Sequence, residues 1–384
     1  MNFVALKMLV GDRLKYLGLV GGLAFAALLV TQQASIFTGY ALRTGAWIRD
    51  TSSADLWIMD PQQEHTDDQK RMISTSLQRI RSVDGVDWAV PMFKGYMPAR
   101  LADGRVHQIR VVGLDDATLE GAPPGMEVGS LADLRSDRAV FINRTDTDKK
   151  LALRKADGTT RPLTVGDRID INDHDTVVAG IYTKSSEFFW EPVIYTTYSR
   201  ALRIAPPERK QLQFVLAKLR PGADVAAVQK QITDTTGLAA YTRDQFESIT
   251  MWFILIQTGI LINFGITIAL GFVIGVLVSA LLLYTFMLEH SRHFAALKAM
   301  GASSWRLIRM VGLQVLIVGA AGFGIGIGGA AITGKFFAGG DLAFAMVWQI
   351  PVFGAAAILC CCLVAGGLSL IRVLRLEPGI VFKS

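Results

Sequence analysis

Charge is what this 384-residue sequence lacks: only 19% of it is Asp, Glu, Lys or Arg, against about a quarter in a soluble globular chain, while 51% is hydrophobic. The shortage is concentrated in four runs without a charged residue, at 16–42, 248–288, 310–334 and 342–371. Each exceeds the roughly 20 residues that cross a hydrocarbon core. That excludes a disordered or purely soluble chain and indicates an integral membrane protein. Cysteine is nearly absent too. The only three, Cys360, Cys361 and Cys362, are consecutive inside the last run, so no disulfide can staple the rest of the chain. Neighbours on a helix point in different directions, which suits apolar filling better than a thiol metal site. Catalytic spacing is missing as well. His65, His107 and His174 stand far apart with no HExxH-like pair, and Asp115-Asp116 and Asp173-His174-Asp175 read as polar turns. No catalytic residue, metal ligand or cofactor site is expected, and the chain is not expected to be an enzyme.

Residues 43–247 have ordinary soluble composition, with 28 Lys and Arg against 29 Asp and Glu. The formal surplus of +6 therefore lies in the membrane-flanking segments, which removes a nucleic-acid reading of the high isoelectric point. Short loops orient a membrane chain by their Lys and Arg content. Lys7, Arg13 and Lys15 precede the first run; Arg292, Lys298, Arg306 and Arg309 separate the second and third; Arg372, Arg375 and Lys383 follow the fourth. All three segments are expected in the cytoplasm. The third connection has only Lys335 and Asp341, which suits the opposite face.

The expected order is a cytoplasmic N-terminal segment (1–15), transmembrane helix 1 (16–42), an extracytoplasmic α+β domain (43–247), a long stalk and transmembrane helix 2 (248–288), and a cytoplasmic loop (289–309). Transmembrane helix 3 (310–334), an external loop (335–341), transmembrane helix 4 (342–371) and a cytoplasmic tail (372–384) complete it. The fold class is thus a membrane protein of four transmembrane helices with a large α+β domain inserted between helices 1 and 2. Ala24-Phe25-Ala26 imitates a signal-peptidase site, but it lies inside a 27-residue apolar run longer than a signal h-region. A retained helix is expected.

The second run has 41 residues, about 60 Å if helical and twice the roughly 30 Å core. Cutting it at Gly259 or at Asn263-Phe264-Gly265 leaves a first half too short to cross. The reading is therefore one continuous helix, spanning from about Gly265 to Leu288 and projecting above the membrane. A projecting ring of Trp252, Phe253, Ile254 and Ile256 needs a protein cover, and a second copy of the chain would supply one.

In the domain, strands are expected at 55–60, 106–113, 139–143, 167–172, 176–182 and 213–219, and helices at 67–82 and 224–235, in two lobes. Ser185-Ser186-Glu187-Phe188-Phe189-Trp190 is either a contact loop or buried packing. In the third run Gly324-Ile-Gly326-Ile-Gly-Gly329 imitates a dinucleotide fingerprint, but no strand precedes it and phosphate cannot reach an apolar span. Gly322, Gly326 and Ala330 instead share one helix face, as close helix packing requires. Gln32, Gln33 and Asn263 are notable polar residues of the spans, near the outer interface; they either bond between helices or touch a ligand.

The loop Glu289-His-Ser-Arg292-His293-Phe294-Ala-Ala-Leu297-Lys298-Ala-Met300-Gly301-Ala-Ser303-Ser304-Trp305 carries Phe294, Leu297 and Met300 or Gly301 at helical spacing, with Lys298, Arg292 and His290 opposite. That predicts a short amphipathic helix, ended by a left-handed Gly301, with Ser303 or Ser304 opening the next. From pattern alone it is either a docking element or a basic interfacial anchor. The stretch resembles the coupling loop of the MacB/FtsX-like permease family, close to E-R-x-R-E-I-x-x-L-K-A-L-G-A-S. Glu289, Arg292, Leu297, Lys298, Ala299, Gly301, Ala302 and Ser303 match, His293 replaces the family's acid and Phe294 its aliphatic residue. The resemblance covers the whole chain, including Leu376-Glu377-Pro378 in the tail. Asp12-Arg13-Leu14-Lys15-Tyr16 and Gln32-Gln33 look most like the DevC-type and haem-exporter-like branch.

The resemblance implies the permease subunit of a type VII ABC exporter. Two copies would pair with two separate ATPase subunits that bind ATP and Mg, and the second helices would transmit their movement outward by mechanotransmission. The coupling residues it implies are Glu289, Arg292, His293, Phe294, Leu297, Lys298, Gly301, Ser303 and Trp305. A periplasmic adaptor is a further candidate partner. The alternative is a membrane sensor or scaffold regulating an external partner such as a cell-wall hydrolase.

Overall fold

The uncharged runs fold as helices and the segment of mixed composition folds around a sheet. The computed structural model describes residues 7–9, 11–51, 53–209, 211–337 and 342–374, which form two units, Met1–Tyr40 with Thr258–Ser384 and Ala41–Gln257. The helices in chain order are α1 (Arg13–Thr44), α2 (Ala46–Asp50), α3 (Ser76–Arg81), α4 (Arg144–Asp148), α5 (Tyr198–Ile204), α6 (Val225–Thr236), α7 (Arg243–Gln257), α8 (Ile260–Glu289), α9 (Ser291–Ala299), α10 (Ser304–Phe337) and α11 (Gln349–Leu374). The strands are β1 (Leu56–Met59), β2 (Val86–Leu101), β3 (Val106–Leu114), β4 (Gly125–Val128), β5 (Ala139–Asn143), β6 (Leu153–Arg154), β7 (Thr160–Arg161), β8 (Arg168–Ile171), β9 (His174–Thr183), β10 (Val193–Thr197), β11 (Phe214–Leu219) and β12 (Ala239–Thr242).

In the first unit α1, α8, α10 and α11 are each long and apolar enough to cross a membrane. Small residues let them approach. A Cβ at Gly322 would stand 2.7 Å from Leu23 Cβ, and one at Gly326 only 2.5 Å from Ala27 Cβ, while Ala330 is fully buried. At these positions α10 lies against α1 with no room for larger side chains, the close packing that lipid favours. The fourth run is not helical throughout. Residues 342–348 run outside any helix, with Ala343 buried and Ala345 N–H donating to Ser35 O at 3.0 Å on α1. The helix starts at Gln349, with Pro351 in its first turn, where a missing N–H costs nothing. The third helix runs on to Phe337 and takes in Lys335. Leu376-Glu377-Pro378 lies outside the described residues.

The continuous helix expected over 248–288 is a second correction. It is two helices, α7 ending at Gln257 and α8 starting at Ile260, with Gly259 between them at φ +69. A left-handed backbone interrupts the helix and is open to glycine without steric cost. The 30 residues of α8 make about 45 Å, so α8 alone exceeds the hydrocarbon core.

In the second unit the sheet order is β12-β1-β11-β2-β3-β10-β5-β9-β4, with β8 on β2 and β9. The 16-residue β2 is the spine: residues 86–92 pair with β11, and residues 93–100 pair with β3. It strings two lobes together. One buries Leu56, Ile58, Val215 and Ala217 beneath α3 and α6, and the other buries Met97, Ile109, Val140 and Ile169. Of the apolar stripe expected from Ala223, Val225, Val228 and Ile232, helix α6 buries Val228 and Ile232, while Val225 is exposed. Asp224 caps its start by accepting from Ala226 N, and Gly237 ends it left-handed. The helix expected over 67–82 is only Ser76–Arg81. Its first half is a loop, in which the Asp68 carbonyl, with that of His65 just before it, accepts from the Gln63 amide, and Asp67 is drawn inward to two buried cations.

Candidate coupling sites

The cytoplasmic loop folds as a rooted lever. At the base of α8 Glu289 pairs with Lys15, which also bonds Asp12 at 2.9 Å. The His290 ring lies 4.3 Å from Phe286 and 5.7 Å from His293. Phe294 is only 1% exposed and packs with Leu19, Leu283, Phe286, Leu307 and Met310, while half-buried Leu297 lies against the same cluster. A Schellman cap ends α9: Gly301 takes φ +87, its N–H reaches Lys298 O at 3.1 Å, and Ala302 N–H reaches Leu297 O at 3.0 Å. Ser303 O then accepts from Arg306 N, opening α10. This turn throws two large side chains outward, Met300 (76% exposed) and Trp305 (71%), among exposed His293, Ser303 and Arg306.

Helical spacing grouped Met300 with Phe294 and Leu297, but the chain has left helical geometry by Gly301 and Met300 points away. Lys298 is half-buried, and the Arg292 side chain lies outside what is described. Lys15 was missed as a member of the site. Its signal was a basic residue three positions after Asp12, at the foot of the first span.

In the second unit, the chain arriving through α2 and the chain leaving through α7 meet on one face of the sheet. Trp47 of α2 lies 5.2 Å from Trp57 of β1, edge-on, and Phe246 of α7 lies 5.5 Å from Trp57 and 6.0 Å from Phe214. Arg49 pairs with Glu247, tying α2 to α7. The domain itself therefore covers much of α7: Ile254 and Thr250 are buried and Phe253 stacks on His65 at 4.8 Å, leaving Trp252 and Ile256 exposed. Only those two need the cover expected for the whole ring.

Beside this junction sits a buried ionic cluster that the sequence reading did not anticipate, because its members are scattered from residue 67 to residue 187. Lys94 of β2 and Arg110 of β3, both almost wholly buried, meet Asp67 at 3.1 and 3.8 Å, and Arg110 meets Glu187 at 2.5 Å. Lys184 also pairs with Glu187, and Lys94 stands 4.0 Å above the Trp47 ring. Burial alone would raise both carboxyls. Lys94 and Arg110 beside Asp67, and Arg110 and Lys184 beside Glu187, override burial and hold each at about 2. The cluster pins the 184–191 segment, whose Ser185 also bonds Asp50 through N–H and hydroxyl at 2.9 Å. Of the three aromatics there, Phe188 and Phe189 are half-buried and Trp190 is exposed.

Within the spans Gln32 and Gln33 are half-buried and Asn263 is exposed. None of them lies in a buried polar site.

Two family models match the sequence: the MacB-like periplasmic core domain over residues 19–235 and the FtsX-like permease C-terminal over residues 265–378. No curated protein matches it. Among solved structures, the extracellular domain of the ABC-type transporter YknZ from Gram-positive bacteria is 15% identical with a TM-score of 0.35, covering 49% of this chain and 98% of that one. The periplasmic region of MacB from Actinobacillus actinomycetemcomitans is 12% identical with a TM-score of 0.37, covering 52% and 94%.

Proposed function

Since the chain belongs to the MacB/FtsX-like permease family and is the membrane subunit of an ABC transporter in the inner membrane, we propose that it exports by mechanotransmission, driven by two copies of a separate ATPase that holds ATP and Mg. The observation that carries this reading is the α9–α10 turn, whose root is buried on Phe294 while Met300 and Trp305 stand free. Aromatic, Met and Arg side chains are enriched in protein interfaces, and a few buried anchors supply most of the binding energy. A push on those two side chains is delivered through Phe294 into Leu283 and Phe286 of α8 rather than lost in a flexible loop. In the outer domain Phe246 hands movement of α7 to Trp57 of the sheet, and the Arg49–Glu247 pair hands it to α2. The uncharged spans offer no path for an ion or polar solute, so the work is done on the outer domain. A second copy of the chain and a periplasmic adaptor complete the assembly.

Copurification with the ATPase, together with ATP turnover of the reconstituted complex, tests this reading. Met300→Asp with Trp305→Asp should weaken capture of the ATPase by about 30-fold or more, as loss of a hot spot worth about 2 kcal/mol requires, with the melting temperature of the permease unchanged. Phe294→Asp should instead prevent folding of the membrane unit. Full capture and turnover by the Met300/Trp305 variant would refute the docking role.

A further inference from the structure

Several glycines of the membrane unit have no close neighbour, and two of them, Gly312 and Gly367, line the same groove. A Cβ at Gly319 would meet Cys362 Sγ at 2.6 Å, so that glycine brings α10 and α11 together, but a Cβ at Gly312 or Gly367 would meet nothing within 4 Å. Both open into a groove of about 510 Å³ between α10 and α11, walled by Val315, Leu316, Leu359 and Leu363 and running from Ile308 to Phe323. Those positions span roughly 22 Å of helix, longer than the ~15 Å hydrocarbon depth of one leaflet. Over that length the lining is apolar throughout, as an extended hydrocarbon chain requires. The charge at its cytoplasmic mouth, rather than its width, decides between an extended hydrocarbon chain and a helix of a second copy. At the cytoplasmic mouth, exposed Arg309 stands three and seven residues before Gly312 and Leu316, on the same helix face.

We propose that this groove holds one acyl chain of an anionic phospholipid from the cytoplasmic leaflet, with its phosphate at Arg309. Basic residues beside a cleft between transmembrane helices on the cytoplasmic side select such headgroups. Gly312 and Gly367 leave the floor of the groove free, and Phe323 limits its outer end.

The purified full-length chain, delipidated and offered phosphatidylglycerol or phosphatidylcholine, is measured by native mass spectrometry. The wild type should retain phosphatidylglycerol in preference. Gly312→Leu with Gly367→Leu fills the groove where no neighbour stands in the way, and should lose the retained lipid with oligomeric state unchanged. Arg309→Gln should keep a lipid but lose about fivefold in preference, the ratio set by about 1 kcal/mol per basic residue near the surface. Should the filled variant fail to fold, phosphatidylglycerol with a photoreactive acyl chain is cross-linked to the wild-type protein, and labelled peptides are expected from residues 308–323 and 355–367. Retention unchanged in the filled variant, preference unchanged in Arg309→Gln, conversion of a dimer to a monomer by filling, or labelling confined to α8 would each overturn the proposal.

Discussion

Glu187 and Asp67 show how much a few buried side chains hold in the outer domain. Each is nearly inaccessible, and each faces cations that are equally buried. A buried pair gains little over an apolar substitute, but breaking it by removing one partner costs about 3–5 kcal/mol, because a charge is left stranded. Glu187→Gln strands Lys184 and half of the Arg110 interaction, while Asp67 remains 3.8 Å from Arg110. A loss of about 3 kcal/mol, at the lower end of that range, is expected in denaturant unfolding of the outer domain within the intact chain. The acid limb follows from the same groups. Both carboxyls sit at about 2 when folded and near 4 when unfolded, so their stabilisation is complete above about pH 4.5 and disappears as the pH falls through 2. Melting temperature against pH should therefore fall steeply below pH 4 in the wild type and less steeply in Glu187→Gln. Equal slopes would show that Glu187 is not ionised in the fold. None of this was legible in the sequence, where Asp67 was placed on a helix, Lys94 lay in no assigned element and Arg110 was one residue of the strand expected at 106–113.

At the scale of elements, the sequence was read best where one period dominates. Strand β5 has the expected bounds, and α6 runs over Val225–Thr236 where a helix at 224–235 was expected. The spine β2 was missed because Pro91, Gly95 and Pro98 argue against a central strand. The strand tolerates them because it changes partner after Met92: residues 86–92 have only β11 beside them and residues 93–98 only β3, so each half keeps an open edge. The α7–α8 break was missed for the opposite reason. Apolar composition runs through it unbroken, and the one glycine that takes φ +69 is among 37 in the chain. If motion passes from α8 to α7 through that joint, its geometry matters more than its size. Gly259→Ala meets no steric neighbour, so the cost is the left-handed backbone alone, roughly 1–2 kcal/mol, and a right-handed helix through 258–259 becomes the easier path. The variant should fold and bind the ATPase as wild type while transport-linked ATP turnover falls. Unaltered turnover would mean the joint is only a link.

For the whole molecule, a lever pushed from one side needs something to push against. A lone chain with a rooted α9–α10 turn would simply shift in the bilayer. Of the four spans α8 is the least covered by its own unit, 22% against 33–44% for the others, and it presents Ile266, Leu270, Val273, Leu277, Leu281, Tyr284 and Leu288 outward at three- and four-residue steps. That stripe is broad and continuous enough to take the same stripe of a second copy, in an isologous contact that would close as a two-fold dimer, whereas the α10–α11 groove is the one proposed to hold lipid. In a background where Cys360, Cys361 and Cys362 are replaced by Ala, Leu277→Cys should therefore cross-link into a dimer under mild oxidation in native membranes, and Leu363→Cys beside the groove should not. Efficient cross-linking at 363 with none at 277 would move the two-fold axis to the opposite side of the bundle and leave α8 facing lipid.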